Sequence, residues 1–132
     1  MYLLDTNACI RFLRDANSAV ARRLATVDIQ EVAVCAVVKA ELYYGARRSA
    51  DPEHSSHIVR AFLAGLTSWP FDDDAAEVYG HLRADLAREG MPIGPNDLMI
   101  SSIAVAHQAT LVTHNMREFA RVPGLKSVDW ET

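Results

Sequence analysis

Met91-Pro-Ile-Gly-Pro-Asn-Asp-Leu-Met-Ile-Ser-Ser-Ile-Ala104 is the stretch whose reading decides the fold. Gly94 and Pro95 break the chain before it. Pro95 suits the first positions of a helix, where its missing N–H has no intrahelical partner to lose. Asn96 and Asp97 then fall in the first turn. Leu98, Met99, Ile100, Ile103, Ala104 and Val105 make the helix apolar nearly all round, which marks it as core. One carboxylate, Asp97, therefore stands at the positive end of a buried helix, where the helix dipole favours it by a few tenths to about 1 kcal/mol. That accounts for one acid. It does not account for Asp5 and Glu41, which also sit against apolar segments, and the three are expected to converge on a divalent metal.

Outward from this helix the chain alternates strands and helices. Tyr2-Leu3-Leu4 reads as a short strand ending at Asp5, and Thr6 and Asn7 initiate a helix over Ala8–Arg14. Ser18 caps a second helix running to about Thr26. Glu31–Val38, rich in β-branched residues, reads as a strand that gives way to a helix at about Val37, carrying Glu41. Gly45, one turn after Glu41, is expected to allow close backbone packing. Asp51-Pro52 starts a helix to about Leu66 whose inward set is Ile58, Val59, Phe62, Leu63 and Leu66. Ser68–Phe71 is extended, and Asp72-Asp73-Asp74 opens a long helix, Ala75 to about Glu89, stopped by Gly90. After the Asp97 helix come a buried strand, Ala109–Thr113, one helical turn at Glu118–Arg121 and a last strand, Leu125–Trp130. This order implies an α/β fold with a largely parallel sheet covered on both faces. In such sheets ligands bind beyond the carboxyl ends of the strands, where Asp5 and Asn115 fall.

The 132 residues are expected to form one domain, 1–132. No apolar run is long enough to cross a bilayer and no secretory leader precedes the first strand, so a cytoplasmic location is expected. Cys9 and Cys35 lack metal or redox spacing and read as reduced core thiols. The net charge of −4 argues against bulk affinity for nucleic acid. Basic residues instead come in short groups: Arg11/Arg14, Arg22/Arg23, Lys39 and Arg47/Arg48. Residues 1–60 hold eight Lys/Arg against seven Asp/Glu, and residues 61–132 hold five against ten. The first half therefore offers the candidate phosphate-contacting surface.

Three carboxylates held close repel one another, and without a cation at least one must take up a proton. Mg²⁺ or Mn²⁺, hard cations that take oxygen ligands, resolve the repulsion. A metal held this way polarises a phosphoryl oxygen and lowers the pKa of bound water. Asp5, Glu41, Asp97 and Asn115 are thus candidate parts of a phosphodiester hydrolase, with Thr6 and Thr113 placed to orient the carboxylates or a phosphate.

The segments Leu3-Leu4-Asp5-Thr6-Asn7, Ala40-Glu41-Leu42-Tyr43-Tyr44-Gly45, Pro95-Asn96-Asp97-Leu98-Met99-Ile100 and Leu111-Val112-Thr113-His114-Asn115, with Glu118-Phe119, together resemble the PIN-domain family. The nearest resemblance is to its VapC-like branch, the toxins of VapBC toxin–antitoxin pairs. It spans essentially the whole chain. The resemblance implies a three-layer α/β/α sandwich and a Mg²⁺- or Mn²⁺-dependent endoribonuclease acting on structured RNA such as tRNA. It implies that Asp5, Glu41 and Asp97 form the metal-binding set, that Asn115 fills a fourth position and that Thr113 supports that corner. It further implies a homodimer and a VapB-like antitoxin whose C-terminal segment blocks the site. One departure stands out: where such proteins commonly cap the Glu-bearing helix with Ser or Thr, this chain has Cys35-Ala36-Val37.

Other polar residues fit less well. His54 and His57 form a possible metal pair without further ligands, and Asp72–Asp74 reads as a helix start. His114 either approaches the site or faces solvent. Trp69 and Trp130 are expected to pack, and Tyr43 and Tyr44 are candidates for a dimer or antitoxin groove. A haloacid-dehalogenase-like phosphatase would need an acid two positions after Asp5, where this chain has Asn7. A PIN-like binding module without catalysis is the other alternative.

Overall fold

The computed structural model describes residues 1–132. Five strands, β1 (Tyr2–Leu4), β2 (Val32–Cys35), β3 (Thr67–Trp69), β4 (Thr110–Val112) and β5 (Lys126–Val128), form one all-parallel sheet in the order β3-β2-β1-β4-β5. The helices are α1 (Thr6–Arg14), α2 (Ala19–Leu24), α3 (Ala36–Arg47), α4 (Pro52–Ala64), α5 (Asp73–Arg88), α6 (Pro95–Ala106) and the single turn α7 (Met116–Phe119). Crossovers between parallel strands are right-handed. The path β1→β2→β3 therefore lays its helices on one face and the return β3→β4→β5 lays its helices on the other. The main helix contacts group accordingly, α1 with α2 and α3, α3 with α4, and α5 with α6, and α3 also meets α6. This is the α/β/α sandwich expected from the sequence.

The central strands are buried on both sides, so Leu3, Leu4, Val32, Ala33, Val34, Cys35 and Leu111 are all inaccessible to water. Such strands read as continuous apolar runs rather than alternating ones. Each fully buried Leu or Val side chain contributes about 1.5–3 kcal/mol relative to exposure. The α6 stripe is as apolar as the sequence indicates, with Leu98 and Ile100–Ala104 buried.

The strands are shorter than the sequence reading. The Glu31–Val38 run yields only Val32–Cys35, because Ile29–Glu31 forms a 3-10 turn capped by Asp28 and helix α3 begins already at Ala36. Leu125–Trp130 similarly contracts to Lys126–Val128. Two expectations need correction. Ile58 does not face inward but is 40% exposed. Gly45 makes no close backbone approach: a Cβ there would meet nothing within 4 Å. Cys9 and Cys35 are free and buried, and burial raises the pKa of both thiols, which keeps them unreactive. Trp69 stacks on His107 at 3.8 Å, and Trp130 tilts on Tyr2 at 5.1 Å, so both tryptophans pack.

In this strand order, the chain's progression across the sheet reverses between β1 and β4, which opens a crevice at their carboxyl ends. Asp5 follows β1 directly, and its N–H donates to the Val112 carbonyl of β4 at 3.1 Å. The crevice is thus built around Asp5.

Candidate active site

Asp5 is the N-cap of α1, one residue earlier than the helix start read from Thr6 and Asn7. Its Oδ1 accepts the Ala8 N–H at 2.8 Å, and the side chain is nearly buried. Burial raises its pKa above the ordinary carboxylate value. Hydrogen bonds from the Thr113 side chain and the Ala8 N–H pull the other way, and the charges of Glu131 and Glu41 push it further up. Thr113 is itself buried at the end of β4, and its Oγ1 accepts the Asn115 N–H at 3.0 Å. The residue expected to support this corner therefore touches both Asp5 and the Asn115 backbone.

Glu41 lies half-buried in α3, and Thr6 at the start of α1 donates its hydroxyl to Glu41 Oε1 at 2.5 Å. That bond joins the second acid to the helix capped by the first. Where the resembled proteins commonly carry Ser or Thr, Cys35 occupies the N-cap of α3 and makes no side-chain cap bond.

Asp97 sits in the first turn of α6, whose N-cap, Gly94, offers no side chain. Asp97 makes no capping hydrogen bond either, so capping does not explain it. Its carboxyl titrates at about 6, raised first by burial, then by the charge of Glu118 and a hydrogen bond with it, then by Glu41 and Asp5. Asn115 closes the set from the N-cap of α7, its Nδ2 donating to Glu118 Oε2 at 2.9 Å.

Asp5, Glu41 and Asp97 thus feel one another's charge, although their carboxylate oxygens do not all fall within 4.8 Å of one another; Asn115 is linked to Asp97 through Glu118, and Thr6 and Thr113 bond Glu41 and Asp5. No Lys, Arg or His forms an ion pair with Asp5, Glu41 or Asp97. An uncompensated cluster of this kind, with two carboxyl pKa values raised, is the donor set a hard divalent cation fits.

Two residues escaped the sequence reading as charges of the site. Glu118 is three positions after Asn115, the spacing of one helical turn, and that was the available signal. Glu131 reaches Asp5 only through the tertiary path of the C-terminus, and nothing local marks it. A separate group lies alongside: the ligand atoms of His114, Asp129 and Glu131 fall within 4.8 Å of one another. Arg11 Nε already pairs with Glu131 at 3.1 Å and His114 Nδ1 hydrogen-bonds Asp129 at 2.9 Å, so both acids of this group already have partners. His54 and His57 are exposed on α4 with no third ligand.

The sequence pattern of the PIN domain matches residues 2–125. The chain belongs to the PIN-domain family. Within it, the chain is 36% identical over 129 residues to the tRNA(fMet)-specific endonuclease VapC of Salmonella typhimurium, covering 98% of this chain and 97% of that protein. It is likewise 36% identical over 132 residues to ribonuclease VapC2 of Rickettsia felis, covering 99% and 98%. Its fold superposes on the crystal structure of DNA-bound VapBC from Salmonella typhimurium with a TM-score of 0.93 at 36% identity, covering 98% of this chain and 97% of that one. Membership in the PIN family leaves the phosphatase alternative without support. Asn7, in place of the second acid that chemistry needs, is exposed on α1.

Proposed function

We propose that this PIN-domain chain is an endoribonuclease toxin that hydrolyses RNA phosphodiester bonds with Mg²⁺ or Mn²⁺ and is neutralised by a VapB-like antitoxin. What supports the proposal is that Asp5 caps the helix whose Thr6 holds Glu41, that Asp97 feels the charge of both acids, and that no basic residue pairs with any of the three. It is supported by relatives named as ribonucleases and as a tRNA(fMet)-specific endonuclease.

Asp5, Glu41 and Asp97 are the residues that would hold the ion. When bound, it would polarise the scissile phosphate and make water a nucleophile near neutral pH. The chain's own contribution is orientation. The Thr6 hydroxyl fixes Glu41, Thr113 and the Ala8 N–H fix Asp5, and Asn115 fixes Glu118. Protonation of Asp97 competes with a cation, so occupancy is expected to weaken as pH falls through about 6.

A groove of ≈ 250 Å³ opens beside Glu41, with Leu13, Leu42, Ala46 and Val59 among its lining residues and Arg14 at its edge. An amphipathic antitoxin segment lying there would reach the acids, which fits the VapBC complexes among the solved neighbours. Tyr44, 65% exposed on the same helix as Glu41, is available to such a partner, whereas Tyr43 is half-buried. The working unit we envisage is a single domain, 1–132, dimeric and cytoplasmic. No helix is long and apolar enough to cross a membrane.

The test is cleavage of a total tRNA pool by the purified, antitoxin-free protein. Wild type with Mg²⁺ or Mn²⁺ is expected to release discrete fragments, and EDTA or Asp97→Asn to suppress them. Equal cleavage by wild type and Asp97→Asn would refute the assignment.

A further inference from the structure

We propose that the groove between α1 and the turn joining β4 to α7 carries the RNA strand away from the acidic centre, with Arg11, Arg14 and His114 contacting its phosphates. This rests on the ribonuclease reading above. The groove holds ≈ 490 Å³ and its lining is almost wholly polar: Asn7, Arg11, Arg14, His114, Asn115 and Glu131. Both walls begin at the acid cluster. Asn7 lies two residues beyond Asp5, and Asn115 is bonded to Glu118. A strand with one phosphate at the acids has this polar channel as a continuation.

Most of the other basic residues in the chain's short basic groups, Arg23 excepted, are engaged elsewhere. Arg47 is paired with Glu53 at 3.0 Å, and Arg48 lies over the Tyr44 ring at 5.3 Å. Arg22 donates to the Asn17 carbonyl at 2.6 Å, and Lys39 donates to Ser68 at 3.1 Å. Arg14 is exposed and makes no ion pair. Arg11 spends only Nε on Glu131, at 3.1 Å, and keeps both terminal nitrogens, the pair that grips a phosphate in bidentate fashion. His114 spends Nδ1 on Asp129 at 2.9 Å and keeps Nε2. Asn7, Arg11 and Arg14 recur at helical spacing on one face of α1. They span about 10 Å at 1.5 Å per residue. That length suits on the order of three nucleotides at ~3.4 Å per stacked nucleotide.

The C-terminal Asp129-Trp130-Glu131 acts as the clamp for these contacts. Trp130 is buried against Tyr2, and the Glu131 N–H donates to Asp129 Oδ1 at 2.8 Å, which fixes both acids. Asp129 and Glu131 are positioning residues: one aims His114, the other Arg11.

Fluorescence anisotropy with a labelled single-stranded RNA dodecamer tests this, using the Asp97→Asn protein so that the RNA stays whole. Adding Arg11→Ala and Arg14→Ala is expected to weaken binding about tenfold or more at low salt. The slope of log affinity against log salt should shrink by about 1.4, some 0.7 for each lost phosphate contact. Arg22→Ala with Arg23→Ala should change neither quantity. Glu131→Ala removes a charge that repels RNA, yet should weaken binding because Arg11 loses its anchor; tighter binding would overturn the positioning role. Unchanged affinity and slope in the Arg11/Arg14 variant would overturn the groove assignment alone. If the Asp97→Asn protein binds no RNA at any salt, the ribonuclease reading falls as well. A variant that keeps its RNA slope but loses binding to a polyglutamate peptide would give the groove to an acidic protein segment, overturning the proposal.

Discussion

Replacing Asp97 by Asn separates the charge of the site from its shape. The Asp97 carboxyl titrates at about 6 instead of 3.8, because it is half-buried and faces Glu118, Glu41 and Asp5. A carboxyl whose pKa is raised on folding costs stability once it ionises. The cost is absent well below 3.8, grows between 3.8 and about 6, and is fully present above. At 1.36 kcal/mol per pKa unit the shift corresponds to about 3 kcal/mol. Solvent screening of a half-exposed group reduces this to roughly 1–2 kcal/mol. Asn also forgoes the favourable dipole of α6, about 0.3–1 kcal/mol. Asp97→Asn should therefore stabilise the metal-free protein by roughly 1 kcal/mol at pH 7.5, a rise in Tm of about 3–5 °C for a chain of this size. Scanning calorimetry in EDTA reads the gain, which should shrink as the pH is lowered towards 5. Millimolar Mn²⁺ should then reverse the order, raising the Tm of wild type more than that of the variant. A variant that melts with or below wild type in EDTA at pH 7.5, at a gap independent of pH, would refute the repulsion argument.

Asp5→Asn should abolish RNA cleavage with an unchanged circular-dichroism spectrum, because Asn still caps α1. Asp5→Ala should melt lower than Asp5→Asn, by about 0.5–2 kcal/mol, for want of the bond to the Ala8 N–H. Thr6→Val releases Glu41 and should cost about 10–100-fold in cleavage rate, with Thr6→Ser recovering most of it; equal rates for all three proteins would dismiss the bond as incidental. Ser101 Oγ is buried without a partner whereas Ser102 Oγ donates to the Leu98 carbonyl at 2.7 Å. Ser101→Ala should accordingly gain about 1 kcal/mol in urea unfolding, while Ser102→Ala should not gain.

The parallel sheet was legible because its strands are short continuous apolar runs separated by helical periodicity, and the carboxyl-end rule then located Asp5 and Asn115. The strand ends were not: Val37 and Val38 favour a strand locally, but the turn out of β2 at Cys35 commits them to α3. Asp97 was legible as an acid in a core helix. That it lacks a capping role, and is raised by Glu118, depends on the tertiary approach of Glu118 to Asp97. Ile58 was assigned inward from helical spacing alone, but Val59 and Leu63 take that face of α4. Asp129 and Glu131 were invisible because a short, polar C-terminus gives no hint of which wall it lines.

The account rests on the acids of the β1/β4 crevice accepting a cation that none of the chain's own basic residues supplies. Titration of Mn²⁺ followed by electron paramagnetic resonance, on wild type, Asp97→Asn and Asp129→Asn, tests it most directly. Wild type and Asp129→Asn should remove Mn²⁺ from solution alike, and Asp97→Asn should leave it free. Retention of the ion by Asp97→Asn and its loss from Asp129→Asn would place the metal at the C-terminal cluster and contradict the assignment.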